Sequence, residues 1–293
     1  MKTIITFSVL LILQSLVFAQ SFQTDSNIIH KRFDQVVFPT THNSFNYKYG
    51  PKQFIHPNQE FDISRQLKDG IRGFMIDIHY YNGPKPELKG SQDIFVFHGE
   101  AILGYQTLFE ILTEFNTFLE ENPKEIVTII FDCKVPESER VAALIKSHPV
   151  YNKVFHKTST QWPSIQDMIQ INQRLVLITH CKAYEDWYLH QHDYCYENNW
   201  RNNSIDGYNC EIVRGDTSKE IFIFNHFLYN GARISKNHKA NKEEFLVSHI
   251  EKCTRETGSI PNFVTVDFYD GGDIFEVVNK LNRRIYAFQK GYE

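Results

Sequence analysis

The chain has 293 residues, of which 42% are hydrophobic and 23% are charged, a composition typical of a globular protein. Its 31 Lys and Arg residues are balanced by 35 Asp and Glu residues, which gives a net charge of −4. This balance excludes a broad nucleic-acid-binding surface, which needs an excess of positive charge. The length suits one large barrel or two modest domains, and no repeat or low-complexity segment marks a boundary.

The N-terminus has the features of a secretory signal peptide. Lys2 supplies one positive charge, an uncharged apolar run follows, and Val17 and Ala19 stand at the −3 and −1 positions of a cleavage site. A membrane anchor is the alternative, but the run is shorter than the ~20 apolar residues that span a bilayer. We therefore predict a signal peptide over residues 1–19, one mature domain over residues 20–293, secretion, and no transmembrane segment.

Short runs rich in β-branched and aromatic residues predict eight strands along the mature chain. They cover residues 36–41, 73–79, 94–98, 126–132, 175–181, 221–226, 263–268 and 284–288. Apolar residues at helical spacing predict helices over residues 107–119, 138–147, 243–254 and 273–282. Eight strands interleaved with helices indicate a (β/α)8 barrel, with a doubly wound sheet as the alternative. The polar, aperiodic stretch 182–219 is interpreted as a large loop over one face of the barrel.

The five cysteines all lie in the mature part, and a secreted protein favours disulfides. Because five is an odd number, at least one thiol stays unpaired. Cys195 and Cys210 flank part of the polar stretch and suggest a stapled loop, although pairing does not follow from sequence. The sequon Asn202-Asn-Ser204 lies in the same stretch, so we expect a glycan on an exposed loop.

Polar residues recur at the C-terminal ends of the predicted strands. Burying an unpaired polar group costs free energy, so this repetition indicates a function. In a barrel these strand ends meet at one mouth, where active sites are built. Along the second strand, alternation directs Met75 and Asp77 into the barrel and Phe74, Ile76 and Ile78 towards the helices. The strand-end residues are His42, Asn43, Asp77, His79, His98, Asp132, His180, His226 and Asp267.

Two histidines beside several carboxylates suit phosphodiester cleavage. One imidazole takes a proton from the attacking hydroxyl while the other gives a proton to the leaving oxygen, and imidazole titrates near neutral pH. The charge on the phosphate oxygens needs Arg, Lys or a divalent cation. Asn43, Asp77 and Asp132 offer the oxygen ligands that Ca²⁺ and Mg²⁺ prefer.

Four motifs carry a resemblance to a known family. They are Thr41-His-Asn-Ser44, Gly70-Ile-Arg-Gly-Phe-Met-Ile-Asp77, Phe97-His-Gly99 and Pro261-Asn-Phe-Val-Thr-Val-Asp-Phe-Tyr269. In this order they resemble the X domain of the phosphatidylinositol-specific phospholipases C, above all the secreted plant- and fungal-type X-domain proteins. The resemblance implies an irregular TIM (β/α)8 barrel. It also implies a phosphoric diester hydrolase that acts on a phosphatidylinositol-type lipid at a membrane surface.

The resemblance also implies roles for individual residues. His42 matches the general base that deprotonates the inositol 2-hydroxyl, and His98 matches the general acid that protonates the diacylglycerol oxygen. Asp267 matches a late-strand carboxylate that orients the first histidine. These three residues are the predicted catalytic group.

Calcium is the cofactor that the resemblance implies. Asn43, Asp77 and Asp132 match metal-ligand positions of the calcium-dependent members. Met75 departs from their pattern, because those members carry a glutamate there, whereas the plant-like subgroup is apolar. A thioether is a poor ligand for a hard cation, so we expect weak, millimolar-range Ca²⁺ binding.

Two other functions stay open. A catalytically silent barrel that binds an inositol lipid, a glycan or a protein partner is favoured by Met75 and disfavoured by the presence of both His42 and His98. A related barrel phosphodiesterase that acts on glycerophosphodiesters is the third interpretation.

The polar stretch 182–219 adds two minor candidates. His190 and His192 with Cys195 suggest a zinc site, although no further paired ligand accompanies them. The aromatic residues Trp187 and Tyr188 are candidates for contact with a bilayer.

Overall fold

The computed structural model of the protein describes residues 28–52, 54–91, 93–182, 185–229 and 234–289. The predicted signal peptide, residues 1–19, lies outside these ranges. The strands are β1 (Phe38–Thr41), β2 (Tyr47–Tyr49), β3 (Gln59–Phe61), β4 (Gly73–His79), β5 (Phe95–Val96), β6 (Gln106–Thr107), β7 (Val127–Cys133), β8 (Leu175–Thr179), β9 (Tyr188–His190), β10 (Cys195–Asn198), β11 (Ile212–Arg214), β12 (Ile221–Asn225) and β13 (Phe263–Val266).

The helices alternate with the strands through most of the chain. They are α1 (Ile63–Asp69), α2 (Leu108–Glu121), α3 (Ser138–Ser147), α4 (Ile165–Gln170), α5 (Gln191–Tyr194), α6 (Ile234–Ala240), α7 (Glu243–Thr257) and α8 (Ile274–Gln289). Local chemistry explains their ends. Thr107 and Glu110 form a capping box at the start of α2. Gly258, at φ +77°, takes the left-handed conformation that ends α7.

Eight strands form a continuous parallel sheet in the order β10, β12, β13, β1, β4, β7, β8, β9. β11 adds an antiparallel edge next to β10, and β5 and β6 form an antiparallel excursion from the end of β4. Within the described ranges no ladder joins β9 to β10, so the curved sheet is open at that seam. The predicted irregular TIM barrel is confirmed, and the seam is its irregularity.

Three of the predicted elements are wrong in detail. Residues 284–288 continue helix α8 instead of forming a strand. Residues 94–98 give only the short antiparallel β5, and the predicted loop 182–219 supplies two barrel strands, β9 and β10. The apolar spacing of Val277, Leu281 and Ile285 is helical, which explains the first error. β9 and β10 are three and four residues long and include His, Glu and Asn, so they gave no apolar run.

The predicted alternation along β4 is confirmed. Phe74, Ile76 and Ile78 belong to the core cluster between the sheet and the helices. Met75 instead packs against a second cluster inside the barrel. An aromatic layer closes the lower end of the interior, where the ring of Phe33 stacks on Trp162 with centroids 4.9 Å apart. The upper end, at the carboxyl ends of the strands, is open to a ligand.

The cysteines do not pair as the sequence suggested. Cys133 pairs with Cys181, and Cys210 pairs with Cys253. Cys195 is the odd cysteine, a buried free thiol in β10, so the predicted staple between Cys195 and Cys210 is wrong. The first disulfide ties the ends of β7 and β8 together. The second ties the segment before β11 to helix α7.

Two surface predictions in the 182–219 stretch also fail. Trp187 and Tyr188 are buried in the core, each 1% exposed, and cannot contact a bilayer. Asn202 is 2% exposed, and its Nδ2 donates to the carbonyl oxygen of Asn199 at 2.9 Å. This buried, hydrogen-bonded amide argues against a glycan.

In the described ranges, no helix has the length and apolar character needed to cross a bilayer.

Candidate active site

A cavity of about 550 Å³ opens at the carboxyl ends of the parallel strands. Five of the six residues predicted for the site line it, namely His42, Asn43, Asp77, His98 and Asp132. The sixth, Asp267, lies behind His42 and is completely buried. The structure therefore brings together residues that lie up to 225 positions apart in sequence.

His42 is held from two sides. Its Nδ1 lies 2.9 Å from Oδ1 of Asp267. This contact follows from the register of β1 and β13, in which Thr41 is opposite Val266, so the next residue of each strand falls side by side. The ring of Phe227 stacks on the imidazole with centroids 3.8 Å apart and planes 3° from parallel. With the ring fixed and Nδ1 engaged, Nε2 is the nitrogen left to act on a ligand.

Asn58 holds the second oxygen of the Asp267 carboxylate. Its Nδ2 donates to Oδ2 of Asp267 at 3.0 Å. Its own Oδ1 accepts from Nδ2 of Asn43 at 3.2 Å and from Nδ2 of Asn46 at 2.7 Å. These two donors fix which end of the Asn58 amide carries the oxygen. Asp267 therefore accepts on both oxygens, and the proton of neutral His42 is held on Nδ1.

His98 reaches the cavity from the antiparallel excursion. Val96 of β5 pairs with Ile78 near the end of β4, and the other edge of Ile78 pairs with Cys133 of β7. β5 therefore pairs with the same edge of β4 as β1 does, but nearer to the C-terminal end of β4. His42 and His98 therefore reach the cavity from the same side of β4, because β5 is an antiparallel excursion and not the barrel strand that the sequence predicted for residues 94–98.

The two histidines differ in proton affinity. Burial opposes protonation of His42, but the carboxylate of Asp267 outweighs it and raises the pKa of His42. For His98, burial and the nearby His42 both lower the pKa. In the described ranges His98 has no hydrogen-bonded carboxylate. One imidazole therefore holds its proton more tightly than usual, and the other holds it less tightly.

Asp77 and Asp132 are opposite each other on β4 and β7. Burial and the Asp132 carboxylate raise the pKa of Asp77 to about 7. Burial also opposes ionisation of Asp132, but a hydrogen bond from Lys134 and the neighbouring His180 outweigh it and lower the pKa. Nζ of Lys134 is 2.8 Å and Nε2 of His180 is 3.2 Å from Oδ1 of Asp132. Asp132 is therefore the ionised partner, and Asp77 has no cation of its own among the described residues.

A second polar group comes from the stretch that was predicted to be a loop. Nη1 of Arg214 donates to Oε2 of Glu197 at 3.0 Å, and the guanidinium lies 4.8 Å from the ring centroid of Trp200. Oε1 of Glu197 accepts from Nδ2 of Asn225 at 2.9 Å. Arg201 lines the same cavity and forms no ion pair within the described ranges. Arg201 and Arg214 add two positive charges to the cavity wall, and Glu197 offsets one of them.

The remaining strand-end histidines have other positions. His79 stacks on Phe97 with ring centroids 4.2 Å apart, and His180 contacts Asp132 from the side. His226 is buried against His249, away from the cavity. The zinc interpretation of the 182–219 stretch is wrong, since the only described trio of His, Cys, Asp or Glu within reach of one ion is Cys210, His249 and Cys253.

Sequence reasoning missed four residues of the site. Lys134 had a signal, because it lies two positions after Asp132 and so on the same face of an extended chain. Arg214 gave no signal, because its whole segment is polar and aperiodic and predicts a loop. Asn58 and Phe227 gave no signal, since neither belongs to a quoted motif and each acts through a contact with a distant part of the chain.

The comparisons with known proteins define the family. A family model of the PI-PLC X domain matches residues 28–282. Because this match covers most of the 293 residues, the chain belongs to the PI-PLC X family.

Similar curated proteins come from a plant and a fungus. The chain is 28% identical over 278 residues to a PI-PLC X domain-containing protein of Arabidopsis thaliana, with 85% of this chain and 62% of that protein aligned. It is 23% identical over 265 residues to a secreted protein of Arthroderma benhamiae, with 79% and 58% aligned. The chain thus spans about three fifths of the length of these two relatives.

Solved structures of bacterial enzymes share the fold. The phosphatidylinositol-specific phospholipase C from Listeria monocytogenes superposes with a TM-score of 0.57 at 14% identity, covering 91% of this chain and 98% of that one. The enzyme from Staphylococcus aureus gives a TM-score of 0.55 at 13% identity, covering 89% and 98%. At such identities the likeness concerns the fold, and it agrees with the open barrel described above.

Proposed function

We propose that the protein is a phosphoric diester hydrolase that cleaves phosphatidylinositol-type lipids. One observation carries the proposal: two imidazoles share one cavity, and only His42 is backed by a buried carboxylate, Asp267. General acid–base cleavage of a phosphodiester needs two such groups in different protonation states. Membership of the PI-PLC X family and the fold shared with bacterial phospholipases C support the same reaction.

In the proposed reaction His42 is the base and His98 the acid. Nε2 of His42 accepts the proton of the inositol 2-hydroxyl, whose oxygen forms a bond to phosphorus. The bond from phosphorus to the diacylglycerol oxygen breaks, and His98 donates a proton to that oxygen. Asp267 keeps the Nδ1 proton in place and stabilises the imidazolium that forms on His42.

Cationic side chains would offset the charge of the phosphate oxygens. Lys134, Arg201 and Arg214 all line the cavity. Lys134 shares its charge with Asp132, and Arg214 shares its charge with Glu197. Arg201 is the candidate whose charge no described carboxylate offsets. Fixed positive groups in a partly dry cavity stabilise developing negative charge more strongly than they would in water.

The oxygen ligands fit a weakly held Ca²⁺. Asp77 forms no ion pair among the described residues, and Asn43 and Asp132 line the same cavity. We propose these three residues as the ligands. Met75 adds only a thioether, and Lys134 already neutralises Asp132, so ligand number and charge are both low for a hard cation. A bound Ca²⁺ would supply positive charge next to the phosphate oxygens.

An apolar edge beside the cavity suits contact with a lipid surface. Ile55 and Ile102 are 55% and 61% exposed, and the backbone N–H of Ile55 donates to the carbonyl oxygen of Leu103 at 2.8 Å. Ile102 lies four residues after His98, and Tyr229, which is 57% exposed, lines the cavity itself. We propose that this edge contacts the bilayer peripherally while the head group enters the cavity. Exposed apolar side chains grouped at a binding site are typical of such contacts.

Secretion is part of the proposal. The signal-peptide pattern at residues 1–19 predicts export, and two disulfides suit an oxidising compartment. The similar protein of Arthroderma benhamiae is described as secreted. N-terminal sequencing of protein from culture medium should begin at Gln20, whereas an intact Met1 on intracellular protein would contradict the prediction.

The test of the activity uses purified protein and vesicles that contain phosphatidylinositol. We expect release of a water-soluble inositol phosphate, and His42→Ala and His98→Ala should each lower the rate about 10²- to 10⁴-fold. His192→Ala is the matched control, because His192 is an exposed histidine outside the cavity. Equal activity in all three variants would refute the assignment of the acid and the base.

The silent barrel is the second candidate, and Met75 together with the Lys134–Asp132 ion pair favours it. A silent barrel would bind the same vesicles and release nothing at any Ca²⁺ concentration. Binding without turnover in the wild-type protein would therefore decide for it. Turnover of glycerophosphodiesters but not of inositol lipids would decide for the related phosphodiesterase.

A further inference from the structure

A second group of ligand-forming side chains lies outside the cavity, on helix α7. His249 and Cys253 are four residues apart on this helix, so they lie on the same face. Cys210 approaches from the segment before β11 and forms a disulfide with Cys253. One ligand atom from each of the three residues lies within 4.8 Å of the others, and all three residues are buried.

The hydrogen bonds of His249 leave one of its nitrogens badly matched. Nε2 of His226 lies 2.9 Å from the carbonyl oxygen of Ala240, so this nitrogen donates and Nδ1 of neutral His226 accepts. Nδ1 of His249 lies 2.9 Å from that acceptor and must donate to it. Nε2 of neutral His249 then carries no proton, yet it lies 3.3 Å from the carbonyl oxygen of Asn209, which is another acceptor.

A metal ion on Nε2 of His249 would remove this mismatch. A histidine that binds a metal usually donates its other N–H to a fixed acceptor, which orients the ring. His226 supplies that acceptor, and its own N–H is anchored on Ala240. The arrangement of donors and acceptors around His249 is therefore the one that a metal-binding imidazole needs.

We propose that reduction of the Cys210–Cys253 disulfide creates a Zn²⁺ site whose ligands are the two cysteine sulfurs and Nε2 of His249. A dithiol reductant transfers two electrons and two protons to the disulfide, becomes a disulfide itself, and leaves two thiols. Zn²⁺ then binds both sulfurs as thiolates, and two protons pass to solvent. A water molecule or the Asn209 carbonyl oxygen completes the four-coordinate shell that zinc prefers.

The site would maintain one cross-link in two redox states. In the oxidised protein the disulfide attaches the segment before β11 to helix α7. That segment follows Trp200 and Arg201, which line the cavity. Under reducing conditions Zn²⁺ would make the same attachment through Cys210 and Cys253, so the cavity wall would keep its anchor. This inference does not depend on the proposed hydrolase activity.

Zinc binding to the reduced, folded protein tests the proposal. The protein is reduced with a phosphine, and Zn²⁺ is titrated in competition with a chromophoric chelator. We expect one zinc per reduced chain and none in the oxidised protein. Because Co²⁺ substitutes for zinc and absorbs strongly when bound by thiolates, its spectrum identifies sulfur ligation and separates it from binding to carboxylates.

Matched variants locate the site. Cys133→Ser with Cys181→Ser removes the other disulfide and should keep thiolate-bound cobalt, whereas Cys210→Ser with Cys253→Ser should lose it. His226→Phe removes the hydrogen-bond acceptor behind His249, together with the bond to Ala240, while keeping an aromatic ring at that position. We expect about 10- to 100-fold weaker zinc binding. No binding by reduced wild-type protein, or equal binding by both double variants, would overturn the proposal. So would a reduced protein that loses its circular dichroism spectrum although Zn²⁺ is present.

Discussion

The substitution Asp267→Asn tests how the buried network sets the proton on His42. In the wild-type protein both oxygens of Asp267 accept, from Nδ1 of His42 at 2.9 Å and from Nδ2 of Asn58 at 3.0 Å. The side-chain amide of Asn58 cannot flip, because its Oδ1 accepts hydrogen bonds from Asn43 and Asn46. The new amide must therefore present its oxygen to Asn58 and its NH₂ to His42. Nδ1 of His42 then accepts, and the proton moves to Nε2, where the proposed base must be bare.

The expected loss follows from two effects. A hydrogen bond to a charged group contributes about 1.5–3 kcal/mol, and losing it in the transition state lowers the rate about 10- to 150-fold. The wrong tautomer adds to this loss, and in the Ser-His-Asp triad the equivalent change lowers kcat about 10⁴-fold. We expect Asp267→Asn to lower the rate of phosphatidylinositol cleavage by about 10²- to 10⁴-fold.

A second substitution separates the tautomer from the lost charge. With Asn58→Asp added to Asp267→Asn, the carboxylate at position 58 accepts from the new amide, whose oxygen then turns to His42 and restores the Nδ1 proton. Asn43 and Asn46 still donate to position 58. We expect the double variant to be about tenfold more active than Asp267→Asn, because the tautomer is corrected but the charge is not next to the ring.

Three measurements check this reasoning. Vesicle hydrolysis gives the rates, and ¹⁵N NMR of the imidazole gives the tautomer of His42 even if no variant turns over. Thermal unfolding of each variant shows whether the buried change is tolerated. A folded Asp267→Asn protein that keeps the Nδ1 proton and about a third of its activity would refute the account. So would a folded double variant that matches the single variant in tautomer and rate.

Three further predictions concern pH, metal and stability. Turnover needs neutral His42 together with protonated His98, and because the pKa of His98 is lowered and that of His42 is raised, the fraction of molecules in this state is small and constant between the two pKa values. kcat/KM should therefore fall below the pKa of His98 and above the pKa of His42. An alkaline limb that Asp267→Asn does not move to lower pH would contradict this. Activity should rise with Ca²⁺ at about 10⁻⁴–10⁻³ M, and this activation should weaken below about pH 7 as Asp77 protonates. Asp77→Asn should abolish the dependence on Ca²⁺ and most of the turnover. Full activity in excess chelator would refute the metal site. Arg72→Met should lower the free energy of unfolding in urea by about 3–5 kcal/mol, because it removes the guanidinium that lies 2.7 Å from the buried carboxylate of Glu125. An unchanged midpoint would contradict this.

The fold could be predicted where short-range patterns decide it. Helix α3 has the predicted bounds, because its apolar residues Val141 and Ile145 lie one turn apart on the buried face. The alternation along β4 was also correct, since one face of that strand packs on helices. β10 could not be predicted, because its buried Glu197 and Asn198 are stabilised by hydrogen bonds to Arg214 and Asn225, which local sequence does not reveal.

The sequence predicted which strand-end residues form the site, but it predicted less well the hydrogen bonds and ring contacts that hold them. All six predicted residues meet at one cavity or directly behind it, because the carboxyl ends of parallel strands converge. Asn58 and Phe227 were missed because they act through His42 and Asp267, which are remote from them in sequence. Lys134 changes the metal argument most, since its ammonium group already places a positive charge on Asp132, one of the predicted calcium ligands.

Motif likeness alone separates an enzyme from a silent barrel poorly, because a single motif contains both structural residues and residues of the proposed site. In Gly70-Ile-Arg-Gly-Phe-Met-Ile-Asp77, Arg72 is structural: it pairs with Glu125 and donates to the carbonyl oxygens of Leu67 and Ile71. A silent barrel would need that arginine as much as an enzyme does. Asp267 is different, since a fully buried carboxylate costs free energy that an apolar residue would avoid. Its two hydrogen bonds serve to orient one imidazole that faces the cavity, which supports the hydrolase over the silent barrel.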